Sequence, residues 1–320
     1  MSLWRHNINR KTVENTGLNS VVSNKFGRFV NKDGTANIQF VNKTIFQRHS
    51  VYHYLINIPG WKFIFFIFAY YAIINFIFAL IYYWFCLDHL AGLIQGSPLE
   101  NFEEAYFFSS QTLTTVGYGR VSPVGLPTNT IASTEALIGI LTLALVTGLL
   151  YGRFVKPRAY IRFTKQAVIA PFKAGRGLMF RLAPIKGATL SEVEVKITGS
   201  LMLEENGKRV NKYVDLPLQF NTLTTLYLTW TVVHPINEDS PIHGMTLEEL
   251  DKAEFEMIVF VKAFDEDFSN TVIARTSYHV DEITNGAKFI PVYNDSAELQ
   301  TTVVDMTKFD SFNPTPEAAL

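Results

Sequence analysis

The sequence predicts a two-part chain: an α-helical membrane domain with two spans and a short re-entrant helix between them, followed by an all-β sandwich domain. Three observations predict it. Phe63–Leu87 is 25 residues without a charged side chain, and about 20 apolar residues suffice to cross a hydrocarbon core. A second apolar stretch, about Thr130–Tyr151, holds one charge, Glu135. Beyond residue 160 the text changes to short alternating apolar runs divided by turn signals, the pattern of a sandwich.

Composition agrees. The chain has 320 residues, a net charge of −1, 48% hydrophobic residues and 26 Phe, the surplus concentrated in the apolar region. Near-neutrality excludes a generic polyanion binder, so no nucleic-acid partner is expected. A lone cysteine, Cys86, excludes an intrachain disulfide. The first 40 residues are polar with no apolar core, so a cleavable secretory signal is not expected.

Residues 1–44 are a polar, Asn-rich N-terminal segment, expected to be mobile over its first 25 or so. Asp33-Gly34 is a turn signal, and Ile38 and Phe40 alternate with polar neighbours like a short strand. Within 45–60, residues 46–58 read as an amphipathic helix: Val51, Leu55 and Ile58 share one face, His49, His53 and Asn57 another, and Pro59-Gly60 breaks it. Directly before a span, such a helix reads as lying in the interface; an ordinary soluble helix face is the alternative. The membrane domain covers 61–156. Trp61 and Tyr82-Tyr83-Trp84 sit where aromatic belts belong. Asn75, the strongly polar residue of the first span, is expected to hydrogen-bond to a neighbouring helix.

Residues 88–101 read as a polar loop, with Asn101 and Glu104 as a capping pair for a short apolar helix, Phe102–Thr114. It is too short to span and runs into Thr115-Val116-Gly117-Tyr118-Gly119. A non-helical return at membrane depth is tolerated only where protein or water covers it. In an extended loop this run can aim its carbonyls one way, because Gly117 and Gly119 can take backbone angles a side chain forbids. The run is the known K⁺-filter signature, so it is matched rather than derived. Four copies around an axis would bind dehydrated K⁺ at Thr115, Val116, Gly117 and Tyr118; the bland alternative is a glycine turn in a membrane hairpin. The C-terminal end of the short helix would also favour a cation.

Arg153, Lys156, Arg158, Arg162 and Lys165 follow the second span, Lys43, Arg48 and Lys62 flank the first, and the loop between carries Asp88, Glu100, Glu103 and Glu104 against Arg120. Basic residues favour the cytoplasm, so both termini are expected inside a cell (inner) membrane. In the domain 157–313, Val193, Val195 and Ile197 alternate, Leu226–Val233, Phe255–Phe264 and Thr271–Val280 read as strands, Asn206-Gly207 and Asn285-Gly286 as turns, and Thr246–Lys252 as a helix. Residues 314–320 are expected to form a loose tail. His234 and His243, nine apart without cysteine, read as structural rather than metal-binding. No nucleotide-binding glycine fingerprint and no nucleophile–base motif appears, so no enzyme and no cofactor is expected beyond K⁺ as the permeant ion.

Span, re-entrant helix, filter and span is the layout of potassium channels, and the chain resembles the inward-rectifier potassium channel family, most closely its prokaryotic branch, from about Gly27 to Phe309. The resemblance rests on Arg28-Phe29-Val30, Lys32-Asp33-Gly34 and Asn37; Lys156-Pro157-Arg158; Ala167-Val168-Ile169; Leu178-Met179-Phe180-Arg181; Val233 to Pro241; Phe255-Glu256; and Arg275-Thr276-Ser277-Tyr278. It implies a homotetramer with immunoglobulin-like cytoplasmic sandwiches around a continued pore. It places Leu143, Thr147 and Tyr151, which share a helix face, on the pore, with Tyr151 as the narrow inner ring; an interfacial anchor is the alternative for Tyr151. Gly139 is implied as a hinge, with close helix packing as the alternative. Strong rectifiers carry Asp or Asn where this chain has Leu143, and although Glu192 matches an acidic ring position, Lys262 and Thr222 stand at two others, so weak rectification is expected.

Many relatives have Glu at the position of Gln111, paired with an arginine where this chain has Val121, so the support behind the filter must differ. Glu135 is a candidate, expected to tune the filter or cavity potential, with a water-exposed carboxylate near the outer end as the alternative. Arg153, Lys156, Arg158 and Lys186 match positions that bind phosphoinositide; a plain positive-inside anchor competes. Animal members open with that lipid and prokaryotic ones are inhibited, so the resemblance implies sensitivity to phosphoinositide or another anionic lipid without its sign. The expected function is passive, K⁺-selective conduction; the alternative is a non-conducting membrane receptor whose sandwich binds a partner.

Overall fold

A computed structural model of the chain describes residues 8, 11–13, 28–39, 50–205, 207–296 and 301–315. Most of the start expected to be mobile, Phe40, residues 46–49 of the expected amphipathic helix, Asn206 and the tail beyond Thr315 lie outside the described residues. The chain falls into two compact units, divided after Gln39 and after Lys156, so the N-terminal residues belong with the β domain.

The helical unit begins with α1, Val51–Asn57, whose first turn is capped by the Ser50 hydroxyl accepting from the His53 N–H. Helix α2, Gly60–Ile81, continues through a π-helical turn, Tyr82–Cys86, and a 3-10 turn, Leu87–His89, giving an apolar rod over Gly60–His89. Helix α3, Pro98–Leu113, starts earlier than the sequence reading placed it. The cap is not Asn101 with Glu104. Glu100 accepts from the Ser97 N–H at 2.6 Å, the Ser97 hydroxyl accepts from the Glu100 N–H, and Pro98 fills the first position, where a missing N–H costs nothing. Asn101 instead accepts from the Gly96 N–H, ahead of the cap. Strand β1, Leu90–Ala91, pairs antiparallel with β2, Ser122–Pro123, closing the loops on either side of α3. Helix α4, Leu126–Phe154, is also longer than expected: it begins after Gly125, with Pro127 in its first turn, where a missing N–H costs nothing. Phe78, Tyr82, Ala105, Phe108, Val121 and Ala132 form one buried cluster among the helices, with the Tyr82 and Phe108 rings edge to face at 4.9 Å.

Among the described residues the β domain has two five-stranded sheets and two two-stranded ones, one of them β14 (Tyr293–Ser296) with β15 (Thr301–Val304). One five-stranded sheet holds β6 (Leu190–Glu205), β7 (Lys208–Asp215), β8 (Thr222–Leu226), β10 (Glu256–Asp265) and β11 (Asn270–His279), in the order β11-β10-β6-β7 with β8 also on β6. The other holds β3 (Ile161–Phe163), β4 (Ala167–Phe172), β5 (Gly175–Pro184), β9 (Trp230–Ile236) and β12 (Ile283–Asn285), in the order β12-β4-β5-β3 with β9 also on β5. The β12–β4 pair alone among these is parallel. Alternate residues of both sheets, among them Leu178, Phe180, Val193, Val195, Ile197, Met257, Val259 and Val261, form one buried core, each large side chain contributing about 1.5–3 kcal/mol.

Three local expectations are corrected. Leu226–Val233 is not one strand: β8 ends at Leu226 and β9 begins at Trp230 in the other sheet, with Tyr227 and Leu228 exposed between. Leu228 continues the alternation but buries nothing, so period 2 runs through a turn. Around the Asp33-Gly34 turn Val30 bridges Ala36, but Asn37–Gln39 form no strand and Ile38 points outward. Pro314 is not in a loose tail; β16, Phe312–Pro314, pairs with β13, Ala287–Phe289. Helix α5, Leu247–Lys252, lies within the expected Thr246–Lys252 and is capped reciprocally by Thr246 and Glu249.

Candidate functional site

The filter run leaves α3 with alternating backbone handedness. Thr115, Gly117 and Gly119 have φ of 61°, 51° and 80°, whereas Val116 and Tyr118 stay negative. Positive φ is free for glycine and costs a β-branched residue such as Thr115 about 1–3 kcal/mol. The Val116 and Gly117 N–H groups both donate to the Gln111 carbonyl, at 2.9 and 3.2 Å. A trans peptide holds its C=O opposite its N–H. The Thr115 and Val116 carbonyls therefore point the same way, off the α3 side. In an ordinary strand they would point to opposite sides. Val116 and Tyr118 are exposed in the single chain.

The loop's base is braced twice. Arg120, directly after the filter, reaches back to Glu104 on α3 at 2.5 Å. Gln111 and Val121 make no such strap: Gln111 supplies its backbone carbonyl, and Val121 is buried in the apolar cluster. Deeper, Glu135 of α4 accepts from Ser109 of α3 at 2.5 Å and from Tyr82 of the π turn at 2.6 Å. The Asn75 Oδ1 of α2 lies 3.3 Å from the same Ser109 hydroxyl. All four residues are fully buried, which overturns the water-exposed reading of Glu135. Sequence reasoning missed Ser109, Tyr82 and Glu104; a polar pair within reach of a membrane acid was the signal available.

On α4, Gly139 faces the end of α3, where a Cβ would come within 1.9 Å of the Leu113 carbonyl oxygen. Close packing alone thus accounts for glycine here, and α4 runs through it unbroken. Leu143, Thr147 and Tyr151 are exposed on the single chain, with the Thr147 hydroxyl donating to the Leu143 carbonyl at 2.8 Å.

At the base of α4, Arg153 donates to the carbonyls of Leu55 (2.6 Å), Ile56 (3.2 Å) and Ile58 (2.8 Å) and stacks on Phe63. A guanidinium on a helix's last carbonyls is favourable, so this arginine ties α1 to α4. Lys156 donates to Asn57. In the β domain, Arg158 and Lys186 are exposed, and Lys186 lies over the Tyr160 ring. Glu192 is the extra residue of a bulge in β6, at φ 48°, and Lys262 lies across from Glu194 on β10; both are exposed.

Two carboxylates of the β domain hold the N-terminal residues, a role the sequence did not suggest. Buried Glu256 accepts from the Phe29 and Val30 N–H groups at 2.8 and 3.3 Å. Glu282 meets Arg28 at 2.5 Å and Lys32 at 3.2 Å. The Ser277 hydroxyl adds a bond to the Val30 carbonyl at 2.6 Å. His234 is fully buried with both ring nitrogens engaged, by the Pro217 carbonyl at 2.7 Å and the Ser240 hydroxyl at 2.8 Å, and burial pushes its pKa down to about 4.

Comparison with known proteins agrees with this architecture. Residues 161–319 match the inward rectifier potassium channel C-terminal domain, and residues 70–156 match an ion channel family. The inward rectifier potassium channel Kirbac3.1 of Paramagnetospirillum magnetotacticum is 35% identical over 286 residues, 88% of this chain and 94% of that one. Inward rectifier potassium channel 4 of Homo sapiens is 25% identical over 324 residues, 88% of this chain and 71% of that one. With the filter run between two spans, a β sandwich behind them and a relative of that identity along nearly the whole of both chains, this chain belongs to the inward rectifier potassium channel family.

Proposed function

We propose that four copies of the chain surround one axis and conduct K⁺ passively down its gradient. The observation that carries the reading is the pair of parallel carbonyls at Thr115 and Val116, with the alternating handedness repeated to Gly119. Stacked rings of such oxygens replace an ion's water shell. One loop cannot encircle an ion, so the site needs the other copies. A non-conducting receptor would have no use for a threonine held at positive φ. The test is uptake of radioactive Rb⁺ into liposomes carrying the purified protein: uptake blocked by Ba²⁺ and not supported by Na⁺ is expected. Its absence from intact tetramers in several lipids would overturn the reading.

In this proposal Leu143, Thr147 and Tyr151 line the pore below the filter. Leu143 gives polyamines and Mg²⁺ no charge to sit on, so rectification is weak; strong block by spermine would refute it. Glu135 acts through Ser109 as the brace of α3. The distribution of Lys and Arg supports both termini inside the cell membrane. Lys156, Arg158 and Lys186 supply charge to an anionic headgroup, at about 1 kcal/mol each, while Arg153 fixes α1. Rb⁺ uptake that is indifferent to added phosphoinositide would remove the lipid contact.

A further inference from the structure

A cavity of about 310 Å³ opens in the β domain between the β4–β5–β9 side of the second sheet and helix α5. Its size is at the lower end of small-molecule sites. The floor is apolar: Ile169, Ile236, Ile242, Met245 and Leu250 are all at least nine-tenths buried. The wall carrying Ile242 and Met245 is held in place by Ser240, which bonds to buried His234 and accepts from the Ile242 N–H. The cavity is therefore formed before anything enters it.

Its lining carries two opposite charges. Arg176, at the start of β5, is half-buried, and Glu248, on α5, is exposed. Neither makes an ion pair with the other or with any other described residue. Glu248 stands in the first turn of α5, but the cap there is made by Glu249. A half-buried guanidinium without a carboxylate beside an apolar floor calls for an anion with an apolar body. Glu248, on the same lining and unpaired with that guanidinium, can take a cation carried on the same body.

We propose that this cavity binds a free apolar α-amino acid of about leucine size, its carboxylate on Arg176, its ammonium on Glu248 and its side chain against Ile236, Ile242 and Met245. Asn285, also on the lining, ends β12, three residues after the Glu282 that holds Arg28 and Lys32. An occupant would stiffen the strand that directly follows the 3-10 turn, Val280–Glu282, from which Glu282 makes the N-terminal contact.

The test is calorimetric titration of the full-length protein in detergent with L-leucine, leucinol (no carboxylate) and 4-methylpentanoate (no ammonium). Saturable leucine binding is expected, at least about tenfold weaker in Arg176→Gln and in Glu248→Gln, and about tenfold weaker for each truncated probe on the unaltered protein. Met245→Trp, which fills the floor, should abolish it. If Arg176→Gln fails to assemble, the leucinol comparison reads the same contact. No saturable heat up to about 10 mM leucine overturns the proposal. Equal binding of 4-methylpentanoate and leucine also overturns it, leaving a plain amphipathic carboxylate site. Leucine binding that survives both Met245→Trp and Arg176→Gln places the ligand elsewhere and overturns it too.

Discussion

Two glutamates, one in each unit, are buried in the same degree and used in opposite ways. Glu135 and Glu256 are 0% and 3% exposed, each accepts two hydrogen bonds, and neither meets a cation among the described residues. Glu135 takes its bonds from hydroxyl side chains on two other helices; Glu256 takes its bonds from consecutive backbone N–H groups of one segment. The first fixes how helices sit against each other behind the filter. The second fixes where a length of chain lies and is indifferent to its side chains. A buried carboxylate is costly unless its acceptor sites are filled, so each glutamate is informative about what fills it. The partners of Glu135 depend on sequence at Ser109 and Tyr82, whereas those of Glu256 exist whatever residues stand at 29 and 30, provided neither is proline.

The largest effect that would break this comparison is at Glu135. Glu135→Ala strands two buried hydroxyls and leaves a void, at a cost of about 4 kcal/mol. Rb⁺ uptake should fall about 100-fold or more, or the tetramer should fail to assemble on sizing; Ser109→Ala, which removes one bond and little volume, should produce a milder fall. Uptake unchanged in both would show that α3 needs no brace from α4.

A buried ionisable group that stays neutral tests whether the β domain's stability depends on its carboxylates at all. His234 has its pKa pushed down to about 4 by burial, while an unfolded histidine protonates near about 6.5. Between those values the unfolded chain binds the extra proton, so stability should fall as pH drops from about 6.5 towards 4 and level off below, by roughly 3 kcal/mol at most. Denaturant-dependent hydrogen exchange of β9 peptides in the full-length protein should show that slope, and His234→Gln should flatten it. A slope that persists in the variant assigns it to other groups.

Glu256→Gln is a smaller perturbation, since the amide keeps one acceptor and turns its NH₂ toward the other backbone N–H. The loss should be about 1–3 kcal/mol, read as faster amide exchange at Phe29 and Val30 with the sheet around β10 unchanged. Phe29→Ala should speed exchange less, through lost packing on Tyr213, because the backbone bonds to Glu256 remain.

How much of this could be read beforehand follows from the range of each interaction. The spans were legible because a run without charges is a property of consecutive residues, and the filter because Thr115 to Gly119 is a contiguous signature. The α3 cap was misplaced although Ser97-Pro98-Leu99-Glu100 states it plainly, because Asn101 and Glu104 offer the same spacing four residues on. The false strand through Leu228 shows that alternation reports which residues are apolar, not which are buried. The Ser109–Glu135–Tyr82 cluster and the grip of Glu256 on Phe29 join residues 26 to 227 positions apart. A lone serine in a helix, or a glutamate in a strand, has no periodic mark of such a partner.

Salt should separate the two kinds of anchor on the N-terminal segment, with the smallest effect of the series. Beside the buried Glu256, the segment has a partly exposed charge cluster: Arg28 and Lys32 on Glu282, with side chains 22%, 35% and 20% exposed. Burial raises the Glu282 pKa, but the bonds from Arg28 and the His279 N–H and the charge of Lys32 outweigh it and hold the carboxyl below its usual range. Its contribution is therefore present above about pH 4.3 and is lost as pH falls through the lower folded value. An ion pair of this exposure is worth about 1 kcal/mol or less and is screened by salt. Raising ionic strength from about 0.05 to 0.5 M should speed exchange of the 28–36 amides a fewfold in the unaltered protein and not at all in Glu282→Gln. The bonds to Glu256 come from neutral donors in a dry site, so the rate left at high salt measures that anchor alone. Combining Glu282→Gln with Glu256→Gln should then give the sum of the two losses, because the two carboxylates grip the segment at different residues and share no donor. A loss well above the sum would mean that the segment is held as one cooperative unit, with Glu256 dependent on the charges beside it.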